Sequence, residues 1–154
     1  MILTTPTLFS ALSATPVLAG IDRHALELLA EEGIVHDFHL SEVIIREGDE
    51  GHSFFIIVEG RVEVIKQHDT PHAVILATLH SRTFFGEMCV IDPVPRAATV
   101  RALSNVKAIE IKAATLYHLF KKFPDQYAIV ILNLARDLAR RLRILDENFA
   151  ACTS

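Results

Sequence analysis

Residues 84–100 read Phe-Phe-Gly-Glu-Met-Cys-Val-Ile-Asp-Pro-Val-Pro-Arg-Ala-Ala-Thr-Val, and this stretch guides the interpretation of the whole chain. Gly86 lets the backbone approach a bound group closely, because glycine has no Cβ. Residues 87–91 can form one short helical turn, and the first amide groups of such a turn lack intrahelical partners and favour an anion. Pro93 and Pro95 end the turn. The pattern indicates a binding site for a small anion.

Arg96 follows the second proline directly, and a guanidinium can form two parallel hydrogen bonds to a phosphate. Ala97 and Ala98 add no bulk, so that their amides stay accessible. Glu87 would repel a phosphate, and a sugar hydroxyl that donates to its carboxylate is the simplest compensation. These residues together suggest a ribose phosphate. The alternative is that Glu87 only suits the first turn of a helix and forms a surface ion pair with Arg96.

The stretch resembles the phosphate-binding cassette of cyclic nucleotide-binding domains, the family of cyclic-AMP-dependent protein kinase regulatory subunits and bacterial catabolite activator proteins. The resemblance rests on Phe85-Gly86-Glu87, a seven-residue spacer and Pro95-Arg96-Ala97-Ala98-Thr99-Val100. Upstream, Glu47-Gly48-Asp49-Glu50-Gly51, Phe54 to Val58 and Glu59-Gly60 match the strand-turn-strand pattern of the family. The resemblance to the family covers roughly residues 16–148.

The resemblance implies a role for each matching residue. Arg96 would hold the cyclic phosphate with the amides of Ala97 and Ala98, and Glu87 would accept the ribose 2′-hydroxyl with Gly86 close to the sugar. Ala97 favours cyclic AMP (cAMP) over cyclic GMP (cGMP), because cGMP-dependent relatives tend to have threonine there. The full set of expected cyclic-nucleotide-binding residues is Phe85, Gly86, Glu87, Met88, Cys89, Arg96, Ala97 and Ala98.

Composition indicates one domain. The chain has 154 residues, of which 51% are hydrophobic, and this is enough for one core. A formal charge of −4 argues against a broad nucleic-acid-binding face, because such a face must neutralise several phosphates. Cys89 and Cys152 are too few for a disulfide framework, so that a reducing, cytoplasmic location is expected.

The first residues raise the question of a signal peptide. Residues 1–20 are mostly apolar, but no Lys or Arg precedes the apolar residues, and Pro6 and Pro16 interrupt them. We expect residues 1–15 to form an extension that packs weakly on the domain or on a partner chain, with a cleaved signal as the alternative. The chain contains no run of about 18 uninterrupted apolar residues, so that no membrane-spanning segment is predicted.

The fold class predicted is mainly β with flanking helices, a double-stranded β-helix (jelly-roll) sandwich with an N-terminal helix and a long C-terminal helix. Asp22 is a plausible N-cap of the first helix, which Gly33 ends. Gly60 should supply a positive φ in a tight turn. The predicted strands are His36–Leu40, Glu42–Arg46, Ser53–Val58, Arg61–Lys66, Ala73–Leu79, Ala98–Ala102 and Val106–Ile111.

From Pro124 onward the apolar residues repeat at threes and fours, and we expect one helix over residues 124–149. Its length, about 35 to 40 Å at 1.5 Å per residue, exceeds what a small sandwich covers. Part of the seam should pack on the domain, and the remainder should pair with a second copy in a homodimer. The alternative is a helix lying wholly on its own domain. The seam consists of Tyr127, Ile131, Leu134, Leu138, Leu142, Leu145 and Phe149.

Members of the family use a residue of this helix as a lid over the base. One alignment places Arg141 and Leu142 at the base-contacting positions, and another places Leu145 and Asp146 there. The sequence leaves the choice open.

The predicted arrangement is a domain over residues 16–149 that includes the long helix, with a short tail at 150–154. A tail of that size holds no winged helix-turn-helix, so that no DNA-binding domain is expected and the downstream protein is unknown. We predict a non-enzymatic sensor, active in signal transduction, in which cyclic nucleotide shifts residues 114–123 and the long helix.

Two other classes are weighed against this prediction. A cupin-like jelly-roll enzyme would hold a metal with a His-x-His pair, and the eight histidines of the chain show no such pair. A dimerisation module with a degenerate pocket would have a broken cassette, whereas Gly86, Glu87 and Arg96 are all in place.

Overall fold

The computed structural model describes residues 5–153, and its elements follow the predicted order. The helices are α1 (Thr5–Ser13), a 3-10 turn (Pro16–Leu18), α2 (Arg23–Glu32), α3 (Met88–Ile91), α4 (Ala113–Lys122) and α5 (Pro124–Thr153). The strands are β1 (Ile34–Phe38), β2 (Val43–Ile45), β3 (Ser53–Glu59), β4 (Val62–Lys66), β5 (Val74–Leu79), β6 (Phe84–Phe85), β7 (Thr99–Ala102) and β8 (Val106–Lys112).

The strands form two four-stranded antiparallel sheets, in the orders β1-β8-β3-β6 and β2-β7-β4-β5. The jelly-roll prediction is confirmed, and all seven predicted strands are present with small differences at their ends. The sequence missed β6, because two residues are too few to show a strand pattern. This strand pairs with β3 through Phe55 opposite Phe85 and Ile56 opposite Phe84, and so fixes the start of the cassette.

The core has two layers, which explains the continuous apolar run of β3. Successive side chains of a strand point to opposite faces of a sheet. Phe55 and Ile57 therefore lie between the two sheets, whereas Phe54 and Ile56 lie against the helices on the outer face. Both faces of this strand are buried, so that the run shows no polar alternation.

The N-terminal segment packs more closely than the sequence suggested. Weak packing of residues 1–15 is wrong for α1, because Leu12 is fully buried and Leu8 is only 6% exposed, both in the core cluster that contains α2. Residues 1–4 lie outside the described residues. Asp22 caps α2 as predicted, its carboxylate accepting from the amide of Ala25 at 2.9 Å, and Gly60 has the predicted positive φ, 93°.

The long helix α5 continues past the predicted end at Phe149 to Thr153, so that residues 150–153, predicted as a tail, are helical, and residue 154 lies outside the described residues. At 30 residues it is about 45 Å long. Its first half is anchored, because Val130 and Leu134 are fully buried, whereas Leu145 and Phe149 are 55% and 73% exposed. Among residues 5–153, no helix combines the length and the hydrophobicity that crossing a lipid bilayer requires.

Candidate functional site

The cassette begins where β6 ends, at a glycine that the local geometry requires. Gly86 has a φ of 82°, a left-handed conformation that side chains disfavour. A Cβ at this position would also lie 2.7 Å from Nη1 of Arg96 and 3.1 Å from Cδ1 of Ile45. Gly86 therefore lets the chain turn and lets the arginine lie against its backbone.

A single helical turn follows, close to the prediction. Helix α3 spans Met88–Ile91, with Glu87 at its N-cap position. Asp92 ends the turn by donating its amide to the carbonyl of Met88 at 2.9 Å, and the thiol of Cys89 donates to the carbonyl of Val94 at 3.3 Å. These bonds fold the proline-rich segment back and bring Arg96 beneath the turn.

Arg96 is buried and held by backbone groups. Its Nη1 donates to the carbonyls of Ser53 at 2.7 Å and Gly86 at 2.9 Å. Its own amide donates to the carbonyl of Asp49 at 2.8 Å, and its carbonyl accepts from the amide of Gly48 at 2.8 Å. Arg96 is only 8% exposed, and the β2–β3 turn and β3 fix the direction of its guanidinium.

The turn between β2 and β3 contributes a residue that the sequence analysis did not identify as part of the site. The guanidinium of Arg96 lies so close to Gly51 that a Cβ there would overlap it. The available signal was the second glycine of Glu47-Gly48-Asp49-Glu50-Gly51, which we interpreted only as part of a turn.

Glu87 is 6% exposed, and its ion-pair partner among the described residues is Arg141, with Nη1 and Oε1 3.6 Å apart. The alternative of a surface pair between Glu87 and Arg96 is therefore wrong, since both side chains are buried and the carboxylate turns to α5. Burial raises the pKa of the Glu87 carboxyl above its ordinary value of 4.5, and a backbone hydrogen bond and the Arg141 guanidinium oppose this only in part.

Arg141 comes from α5 and covers the cassette. Its Nη2 donates to the carbonyl of Phe84 at 3.0 Å, and its guanidinium carbon lies 4.6 Å from the centre of the Phe84 ring. Its Nε lies 2.6 Å from Oδ2 of Asp137, one turn earlier on the same helix. Of the lid candidates that the sequence left open, Arg141 reaches the cavity, whereas Leu142 is 59% exposed.

These residues enclose a cavity of about 110 Å³. Its wall includes all eight residues expected to bind cyclic nucleotide, together with Arg141. The walls are otherwise apolar and come from Ile45, Val64, Leu79 and Val100. A wider depression of about 600 Å³ lies beside it, and the two share Ile45 and Arg96.

Within residues 5–153, no group of three or more histidine, cysteine or acidic side chains is placed to hold a metal ion. Both cysteines are free, Cys89 buried in the cassette and Cys152 exposed near the end of α5.

The residues around the cavity offer a buried guanidinium, a buried carboxylate and accessible amides, a set suited to binding an anion that also carries hydroxyl groups.

Comparison with known proteins identifies relatives of this architecture. The model of the cyclic nucleotide-binding domain family matches residues 35–123. A cAMP-dependent protein kinase regulatory subunit from Dictyostelium discoideum is 37% identical over 105 residues, which are 65% of this chain and 32% of that protein. A CRP-like cAMP-activated global transcriptional regulator from Mycobacterium tuberculosis is 25% identical over 139 residues, 90% of this chain and 60% of that protein. The chain therefore spans about a third and three fifths of the length of these two relatives.

Solved structures show the same fold. The catabolite activator protein of Thermus thermophilus superposes with a TM-score of 0.76 at 24% identity, over 90% of this chain and 63% of that one. A cyclic nucleotide-binding domain from Methylobacillus flagellatus superposes with a TM-score of 0.83 at 22% identity, over 95% of this chain and 84% of that one. Each is similar in its fold along nearly the whole chain.

Proposed function

This chain belongs to the cyclic nucleotide-binding domain family, and we propose that it is a non-enzymatic sensor that binds cAMP in the cassette cavity and transmits occupancy through α5. The observation that carries the proposal is the convergence of all eight expected residues on one cavity, with Arg96 buried and held in place. A buried guanidinium fixed beside accessible amides is a costly arrangement unless an anion uses it.

Arg96 is the proposed phosphate ligand. Two of its five N–H groups, both on Nη1, are used by the carbonyls of Ser53 and Gly86, and Nη2 makes only a long bond of 3.4 Å to the Ser53 hydroxyl. Nη2 and Nε therefore keep donors for two parallel bonds to the cyclic phosphate. The amides of Ala97 and Ala98, which line the same cavity, would complete the anion site.

Glu87 is the proposed partner of the ribose 2′-hydroxyl. Its buried carboxylate has a guanidinium at 3.6 Å, longer than a hydrogen bond, so that it can accept a hydroxyl donor as well. Such a donor favours the charged carboxylate, which burial disfavours. The hydroxyl donor thereby offsets the cost of keeping the Glu87 carboxylate charged and buried beside the phosphate.

The choice of cAMP over cGMP rests on two observations. Ala97 offers no side-chain hydroxyl to a guanine amino group at the cavity wall. The relatives from Dictyostelium discoideum and Mycobacterium tuberculosis are named for their dependence on cAMP. Both support an adenine base.

Transmission through α5 follows from the size of the cavity. Pockets for small molecules are typically about 300 to 1,000 Å³, whereas the cavity under Arg141 has about 110 Å³. A nucleotide therefore requires Arg141 to leave Phe84 and Glu87, and Arg141 is joined to α5 and to Asp137. Because α4 packs against α5, we propose that both helices shift, driven by the different affinities of the two helix positions for ligand.

The proposal extends to a homodimer and a cytoplasmic location. The exposed apolar residues of the last turns of α5, Leu142, Leu145 and Phe149, form a stripe that a second copy can cover. The two free cysteines suit a reducing compartment. The downstream protein would read the position of α5.

Calorimetric titration with cAMP and, separately, cGMP tests the proposal, after a check for nucleotide carried through purification. We expect cAMP to bind more tightly than cGMP, and Arg96→Ala to weaken cAMP by about a hundredfold or more, because two charged hydrogen bonds are lost. Arg61→Ala is the matched control, since Arg61 is an exposed arginine in the β3–β4 turn. Wild-type protein that is free of nucleotide and binds neither ligand would refute the proposed function.

Hydrogen exchange tests the transmission step separately. We expect cAMP to change the protection of amides in α4 and α5 as well as in the cassette. Binding that alters the cassette amides and leaves α5 unchanged would retain the ligand assignment and refute the role of the helix.

A further inference from the structure

A second depression, of about 390 Å³, lies between the 3-10 turn, the β5–β6 turn and α5. It shares no lining residue with the cassette cavity. Three arginines line it: Arg82 comes from the β5–β6 turn, and Arg136 and Arg140 come from consecutive turns of α5. We call this surface the arginine depression.

The arginine depression carries excess positive charge. Its one carboxylate, Asp137, is already engaged by Arg141 at 2.6 Å and lies 3.6 Å from Arg140. Among residues 5–153, the structure gives the guanidinium groups of Arg82 and Arg136 no hydrogen bond or ion pair. The chain as a whole has a formal charge of −4, so that this concentration of positive charge is local.

Two features of the arginine depression are unfavourable in isolation. Arg136 and Arg140 are four residues apart on one helix, and like charges at this spacing destabilise a helix. Arg82 has a φ of 69°, a conformation that costs free energy for any residue with a side chain, where glycine or asparagine would serve better. An anion placed among the three guanidinium groups would offset the repulsion between Arg136 and Arg140. It would also accept hydrogen bonds from Arg82, which would account for an arginine at this backbone position.

The lining also indicates the class of anion. The guanidinium groups belong to two separate elements, so that a tetrahedral phosphate, whose oxygens point in several directions, meets them better than a planar carboxylate. One phosphate would occupy only part of a volume of about 390 Å³. Pro16, which is exposed, adds apolar wall on which an organic group could lie, with the buried Val17 and Phe84 behind it. We propose that the arginine depression is a second ligand site, distinct from the cassette, which binds a compound with two adjacent phosphate groups.

Calorimetric titration of the whole chain with inorganic pyrophosphate, at fixed ionic strength and without divalent cations, tests this site. We expect saturable binding of one pyrophosphate per chain, weakened by about ten- to a hundredfold in Arg136→Gln and in Arg140→Gln, because each removes a charged hydrogen-bond donor. Arg143→Gln is the matched control, since Arg143 is exposed on the same helix and does not line the depression. Thermal melts confirm that each variant is folded.

A nucleoside diphosphate, titrated in parallel, distinguishes two sources of the same chemistry. Tighter binding than pyrophosphate would show that the apolar wall contacts the nucleoside, and equal binding would identify the diphosphate group alone as the ligand. The proposal is refuted if pyrophosphate does not saturate the wild-type chain at millimolar concentration. Binding that persists in Arg136→Gln and Arg140→Gln, or that falls equally in Arg143→Gln, would also refute it.

Discussion

The guanidinium of Arg96 lies against Gly51, in space that the Cβ of any other residue would need. The backbone of Gly51 is not in the left-handed region, so that its conformation alone does not demand glycine. Glycine is required because the β2–β3 turn runs directly beside the Arg96 guanidinium and leaves no space for a side chain. Gly51 thus belongs to the site through the space that it leaves for Arg96.

Gly51→Ala should therefore weaken cAMP binding more than it weakens the fold. The added methyl group displaces the guanidinium from its bonds with the carbonyls of Ser53 and Gly86, and we expect a loss of affinity of about tenfold or more. Calorimetry measures the affinity and thermal denaturation the stability. His52→Ala is the control, because His52 is exposed and adjacent. Unchanged affinity in Gly51→Ala would show that Arg96 tolerates displacement.

The raised pKa of Glu87 predicts how stability depends on pH. The folded chain binds this proton more tightly than the unfolded chain, so that the free energy of unfolding includes a contribution that is full below about pH 4.5 and is lost as pH rises through the folded pKa. Glu87→Gln removes the titration. The stability of Glu87→Gln relative to wild type should rise with pH from 4.5 upward. Urea denaturation over this range measures it, and a constant difference would contradict the assignment.

Nucleotide binding should be linked to the same proton. A ribose hydroxyl that donates to Glu87 favours its charged form, so that cAMP lowers the pKa of Glu87 and its affinity rises as pH increases through the pKa of the free protein. Titrations in two buffers with different ionisation enthalpies should reveal proton release in wild type and none from this group in Glu87→Gln. Equal proton release by both proteins would place the ribose contact elsewhere.

The local parts of the site were predictable from sequence, and the parts supplied by tertiary packing were not. Gly86, Glu87 and Arg96 fall within one short stretch, where glycine, proline and charge have direct conformational meaning. The position of Arg141 depends on the register of α5 against β6. The hydrogen bond between Arg141 and Phe84 joins residues that are 57 positions apart in the chain. No periodic pattern sets that register, since the apolar seam only fixes which face of the helix packs.

The same limit explains α1. An apolar segment interrupted by proline can pack on its own domain or on another chain, and only the surface it meets decides. Leu12 meets the core, so that Leu12→Ala should lower the free energy of unfolding by about 2 to 5 kcal/mol. Urea denaturation measures this loss. Leu40→Ala is the control, since Leu40 is 61% exposed, and similar effects of the two substitutions would mean that α1 is not part of the core.

Arg141→Ala should open the cassette cavity. Removing the guanidinium from Phe84 and Glu87 clears the entrance, and we expect faster association of a fluorescent cAMP analogue together with faster dissociation. Stopped-flow measurement gives both rates. Arg143→Ala, on the exposed side of α5, should leave them unchanged. If Arg141→Ala slowed association, Arg141 would attract the ligand rather than cover its site.

The proposed homodimer makes a prediction about Cys152, which is exposed at the end of α5. Leu138, Leu142, Leu145, Phe149 and Cys152 follow one another at spacings of four and three, the repeat of a coiled-coil seam. In a parallel dimer with both helices in register, the two Cys152 side chains face each other across the axis, within reach of a disulfide. Oxidation with a copper–phenanthroline reagent should then give a covalent dimer in a non-reducing gel, and Cys152→Ser should abolish it.

Phe149→Asp should also reduce the dimer in sedimentation experiments, because it places charge in the seam. A dimer that survives in sedimentation but does not cross-link would pair its helices in another register or direction, whereas a monomer in both experiments would leave the stripe on α5 for the downstream protein.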